Sequence, residues 1–146
     1  MVKKLLLLVT ILLLSACGKD DGPEYKGDKS SPEYTISLYF HAIFETQDLK
    51  EAMSHSTESH ARVMKSYGST RQFARNVLNM SFDTVVAEVD QGSRSVRVRY
   101  DDQAVLSVVF SGTYNGQKVN DLRHVKVIEV KGTWLVDDVL EDPYAR

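Results

Sequence analysis

The sequence predicts an α+β fold, with helices in the first half of the domain and an antiparallel sheet in the second. Three observations carry this. Apolar residues recur at helical spacing from Leu38 to Leu78. After Met80 the period changes to two. The turn pairs Asn115-Gly116 and Lys131-Gly132 then separate the alternating runs. A block of helices followed by a block of strands is the order of an α+β chain, not of alternating βαβ units. With 146 residues there is room for one domain.

The elements follow in order. Residues 1–16 carry Lys3 and Lys4, then seven of the chain's fourteen leucines between Leu5 and Leu14, then Ser15-Ala16. From Leu5 to Ala16 a helix would be about 18 Å long at ~1.5 Å per residue. A hydrocarbon core is about 30 Å thick, so the segment reads as a secretory signal and not as a spanning helix. Residues 17–31 hold glycine, proline and many charges, with Tyr25 the lone large apolar side chain. Such a stretch cannot offset its ordering entropy by burial, so it reads as a solvated tether. The domain occupies residues 32–146.

Ser31-Pro32-Glu33 is a helix start: a capping hydroxyl, proline at the first helical position, and an acid at the positive end of the dipole. The helix carries Leu38, Tyr39, Ala42 and Ile43 on one stripe, widened by Phe40 and Phe44. Asp48 caps a short second helix with Leu49, Ala52 and Met53. A third starts at Ser56 or Thr57 with Ala61, Met64 and Tyr67 inward. Gly68-Ser69 interrupts or bends it, and Phe73, Val77 and Leu78 continue the apolar face. Strands are expected over 82–89, closed by the turn Asp90-Gln91-Gly92-Ser93, then over 96–100, 104–114, 119–130 with a break near Asn120-Asp121, and 133–140.

Two resemblances bear on function. Leu14-Ser15-Ala16-Cys17 resembles the lipobox of bacterial lipoproteins. The resemblance implies diacylglycerol on the Cys17 thiol, signal cleavage between Ala16 and Cys17, and a lipid membrane as the partner of the acylated end. Gly18, where enterobacterial lipoproteins retained at the inner membrane tend to carry aspartate, points to the outer membrane, facing the periplasm, if the cell is Gram-negative. Cys17 is the only cysteine, so no intramolecular disulfide forms. An unmodified thiol in an oxidising compartment would invite cross-linking, which a thioether to lipid prevents.

The helix start at Ser31, the aromatic helix 34–44, the Gln47-Asp48-Leu49 junction and the ending 127–138 through Trp134 resemble, in that order, the nuclear transport factor 2-like superfamily. That resemblance covers roughly residues 31–141. It implies a curved sheet wrapped around the long helix, a cone with a pocket at its wide end, and a tendency to homodimerise through the outer face. Members of the superfamily include isomerases, dehydratases, ligand binders and interaction domains, so the fold leaves function open.

Composition narrows the classes. Without residues 1–16 the chain has a formal charge of −4, and basic stripes with interleaved aromatics are missing, which argues against nucleic acid as a partner. Four histidines occur, His41, His55, His60 and His124; His55 and His60 lie on different helix faces, and no metal-ligand or cofactor motif is present. No cofactor is expected. Asp137 and Asp138 are adjacent in a strand, so one is expected on each face. An inward aspartate with Tyr39, Tyr67 or His41 as donors would suit an isomerase or dehydratase. The ordinary alternative is that Trp134 and Val136 fill the core and both aspartates are wet. The candidate pocket residues are thus Tyr39, His41, Trp134 and Asp138. Arg97 and Arg99 share a strand face, near Arg94, with Arg71, Arg75, Arg123 and Lys126 as further members of a basic patch. The interspersed Asp83, Glu88, Asp90, Asp101 and Asp102 favour a solvated face over an anion site. The reading that joins these is a membrane-anchored envelope lipoprotein whose domain binds a protein or small ligand without catalysis.

Overall fold

The computed structural model describes residues 28–90 and 96–141; the signal, the cysteine and most of the tether lie outside them. Ser31 caps the first helix, α1 (Pro32–Phe44), its hydroxyl oxygen accepting the Tyr34 amide at 3.2 Å. Asp48 caps α2 (Leu49–Ser54), and Thr57 caps α3 (Glu58–Tyr67). Gly68 ends α3 in the left-handed conformation, and Ser69 caps a separate α4 (Thr70–Asn76). The expected third helix is therefore two helices. A left-handed glycine followed by a serine cap stops one helix and starts another more readily than it bends one.

Five strands follow: β1 (Thr84–Val89), β2 (Val96–Tyr100), β3 (Gln103–Tyr114), β4 (Gln117–Val130) and β5 (Thr133–Glu141). All pairs are antiparallel, in the order β1-β3-β4-β5. At Asn115-Gly116 and Lys131-Gly132 both turn residues have positive φ, the type I′ geometry that matches strand twist. β4 runs unbroken through Asn120-Asp121 because every residue from Gln117 to Ile128 has a partner on β3.

Two features of the sheet matter. First, β1 and β2 do not pair with each other. Both pair with β3, β1 from Val108 to Thr113 and β2 from Gln103 to Leu106. They lie along the same edge of β3, and the Asp90 amide still donates to the Ser107 carbonyl; beyond Asp90 the expected turn Asp90-Gln91-Gly92-Ser93 lies outside the described residues. Second, the pairing of β5 shifts between Val136 (opposite Val127) and Asp138 (opposite Lys126), leaving Asp137 as the extra residue of a bulge. Strict alternation therefore fails at the Asp137-Asp138 pair. Val136 and Val139 both point toward the helices, opposite buried Val127 and Val125.

The helices cover one face of this curved sheet. Ile36, Tyr39, Phe40 and Ile43 of α1 meet Leu106, Val108, Phe110, Val125, Val127 and Val136. On α3, Met64 is buried and Tyr67 packs against the core, as expected, while His60 is buried and Ala61 only half-buried. Of the expected Phe73, Val77 and Leu78, the first and last are buried and Val77 is exposed. No helix among the described residues is long and apolar enough to cross a membrane.

Candidate functional site

Among the described residues, two depressions beside the core bear on function. The larger is a cleft of about 400 Å³ at the β1 edge. Its floor comes from the end of α1 (Ile43, Phe44), from Ala74, and from the segment into β1 (Met80, Phe82, Val85). Its rim holds Arg71 and Arg75, one turn apart on α4, with Gln47, Asp83 and Tyr114.

Local chain geometry opens this cleft. After α1 the chain turns through Gln47 at φ 54°, with the Asp48 amide donating to the Ala42 carbonyl at 2.9 Å. After α4 it turns through Asn79 at φ 52°, with the Met80 amide donating to the Ala74 carbonyl at 2.9 Å. Both are wide i→i−6 closures, with a left-handed residue just before the donor. They stop both helices at the cleft instead of letting them run across it. Below, Phe44, Phe82 and Phe110 interlock, with Phe44 edge-on to Phe82 at 5.8 Å and Phe82 stacked on Phe110 at 6.4 Å. Gly112 lets β1 fold this close, since a Cβ there would collide with the Thr84 carbonyl oxygen.

The smaller depression, about 210 Å³, lies beside β5 and is lined by Ser59, His60, Val63, Leu78, Asp137 and Asp138, among others. Behind it is a buried polar pair. The Tyr39 hydroxyl lies 2.8 Å from His60 Nε2, and the imidazole also hydrogen-bonds the Asp137 backbone. Burial holds His60 below its ordinary value of 6.5, against the opposing charges of Asp138 and Asp137. Burial, and secondarily the charge on Asp138, holds the Tyr39 phenol well above 10.0. Tyr39 is therefore a neutral donor and His60 a neutral acceptor around pH 7, so the pair is locked in one proton arrangement.

The four expected pocket residues are not gathered in one place. None lines the 400 Å³ cleft. Tyr39 is fully buried against His60. His41 lies on another face of α1, its Nδ1 3.1 Å from Glu45 Oε2. Trp134 is buried in the core, its carbonyl accepting the Thr35 hydroxyl at 3.2 Å. Asp138 is exposed at the smaller depression, one oxygen accepting the Val139 amide. Asp137 accepts from Lys126 Nζ at 2.9 Å and from the Thr57 hydroxyl at 3.1 Å. Neither aspartate is buried against Tyr39 or His41, as acid–base chemistry by an inward carboxylate would require.

Of the basic residues, Arg123 is buried and bonded to Asp121, with Glu141 3.2 Å away. Arg94 and the side chains of Arg97 and Arg99 lie outside the described part. Only Arg71 and Arg75 reach the cleft. Among the described residues no three His, Cys, Asp or Glu side chains gather in a way that could hold a metal ion. The sequence reading missed His60 as a polar core residue and the cleft itself. The signal for His60 was its i,i+4 spacing to Met64; the cleft depends on chain turns at Gln47 and Asn79, and glutamine seldom takes positive φ, although asparagine does so more readily. Comparison of the chain with protein-family models gives no match, and comparison with curated proteins gives none.

Proposed function

We propose that this chain is a bacterial envelope lipoprotein, anchored through acylated Cys17, whose domain is a nuclear transport factor 2-like cone acting as a non-catalytic ligand-binding module. The single observation that carries the binding role is the cleft at the β1 edge. Its volume of about 400 Å³ falls in the ~300–1,000 Å³ range of small-molecule sites, and an apolar floor with a few polar groups at the rim is their usual chemistry. The lipobox and the charged tether support the anchoring role, which would hold the cleft a short way above a membrane surface. As a flexible chain, the fourteen residues from 18 to 31 span about 20 Å root-mean-square.

The cleft is tested with Nile red, a neutral dye that fluoresces in apolar surroundings. The full chain carrying Cys17→Ala has no acyl chain of its own and is expected to raise the fluorescence. Ser81→Trp in that background places an indole in the cleft from an irregular segment and is expected to abolish the gain with the circular dichroism unchanged. Equal gain in both proteins would refute binding in this cleft. For the anchor, labelled fatty acid is expected in the wild-type protein and not in Cys17→Ala; labelling of both would exclude Cys17 as the acylated residue.

A further inference from the structure

The rim of the cleft carries a charge arrangement found nowhere else among the described residues. Arg71 and Arg75 stand at i,i+4 on the exposed side of α4, a spacing at which like charges repel. Of the other arginines whose side chains are described, Arg62 is matched with Glu58, and Arg123 with Asp121 and Glu141. Lys126 is matched with Asp137. Among the described residues, Arg71 and Arg75 form no ion pair. The acid on the same rim, Asp83, is turned to the β3–β4 loop, its Oδ2 accepting the Asn115 amide at 2.7 Å.

Immediately below these cations the surface is apolar, with Phe44, Met80 and Phe82. A ligand matching both levels has an oxyanion head and a hydrocarbon body. Arginine suits the head because its planar fork binds carboxylate or phosphate oxygens in pairs. Volume limits the body. At about 30 Å³ per water-sized group, 400 Å³ holds roughly a dozen groups, enough for one chain of about ten carbons with its head, and too little for a two-chain lipid.

We infer that the cleft takes a single-chain amphiphilic anion, its carboxylate or phosphate paired with Arg71 and Arg75 and its chain laid over Phe44, Met80 and Phe82. This rests on the cleft being a ligand site. The experiment is displacement of Nile red from the Cys17→Ala chain by decanoate, decyl phosphate, decanol and decyltrimethylammonium. Either or both of the anions are expected to displace the dye at about tenfold lower concentration than decanol, the scale of a charge-assisted hydrogen bond, and the cation is expected to be weakest. The more effective anion identifies the head. The double variant Arg71→Gln/Arg75→Gln is expected to keep Nile red and lose the preference for anions. Decanol acting as well as both anions, or a preference that survives in the double variant, overturns the inference and leaves the cleft reading standing. Absence of Nile red binding overturns both.

Discussion

At the β5 edge the helical layer is hydrogen-bonded to the sheet; at the β1 edge, among the described residues, it packs on the sheet through side chains alone. The junction between α2 and α3 runs beside β5 as a short parallel bridge. The Thr57 amide donates to the Val136 carbonyl, and the Val136 amide to the His55 carbonyl, both at 2.8 Å. The Thr35 hydroxyl on Trp134 and the Thr57 hydroxyl on Asp137 add side-chain ties. At the other edge, among the described residues, no backbone hydrogen bond joins a helix to β1. Only side chains cross, chiefly Phe44 to Phe82. The difference teaches how one sheet can be both protected and open. A bridged edge satisfies part of its backbone and discourages edge-to-edge association, and beside it lies only the smaller depression of about 210 Å³. An edge spanned by side chains leaves space.

The wall between the two flanks is Phe110, packed edge-on to Phe40 at 4.8 Å and against Phe44 and Phe82. Its removal gives the largest expected effect. Phe110→Ala should cost about 3–5 kcal/mol, the usual result of deleting a buried aromatic, read as a shift of the urea midpoint at unchanged slope. It should also weaken Nile red binding by undermining the cleft floor. A loss under 1 kcal/mol would mean that the two flanks do not share a core.

Next comes the closed flank alone. Tyr39→Phe keeps the ring in place and removes the donor to His60. A buried imidazole nitrogen then lacks its partner, at a cost of about 1–3 kcal/mol, with Nile red binding unaltered because Tyr39 does not line the cleft. A change in dye binding equal to that of Phe110→Ala would contradict the separation of the two flanks.

How far these residues could be recognised from the chain depended on the range of the interaction. Local chemistry was legible. Ser31, Asp48 and Thr57 cap helices as expected, and Asn115-Gly116 makes its two-residue hairpin, because caps and tight turns are settled within four residues. The Tyr39–His60 pair was not legible: its partners are 21 positions apart and meet only when α1 and α3 dock. The bulge at Asp137 was hidden for a similar reason. Alternation within one strand cannot show where the neighbouring strand shifts register. Arg71 and Arg75 were visible as charges, but nothing local placed an apolar floor beneath them, since Met80 and Phe82 reach it only through the Asn79 turn.

Acid should act on the closed flank before the open one. The folded-state value of His60 is depressed by burial, so the unfolded chain binds the proton more readily. The stability this group supplies is fully present above about pH 6.5, the unfolded value, and is lost as pH falls below it toward the folded value. His55 is shifted in the same direction by burial, opposed by Glu51, and contributes to the same window. The urea midpoint should therefore drop between pH 7.5 and 5.5, and the drop should be smaller in His60→Gln. An unchanged drop in that variant would remove His60 as its source and move the effect toward His55.

The smallest expected effect is the sharpest test of the contrast. Arg71→Gln and Arg75→Gln should each change stability by less than about 0.5 kcal/mol, as exposed substitutions away from the core do. Relief of their mutual repulsion would even favour the variants slightly. At the β5 edge, charges and hydroxyls are bonded to the frame, so their loss is a loss of stability. At the β1 edge the two guanidinium groups form no ion pair among the described residues, so only a ligand should report their loss. A destabilisation above 1 kcal/mol by either glutamine would show that the arginines brace the cleft and do not await an anion. Unaltered stability with the preference for anions gone would leave the β1 edge as the part of this fold that holds a ligand.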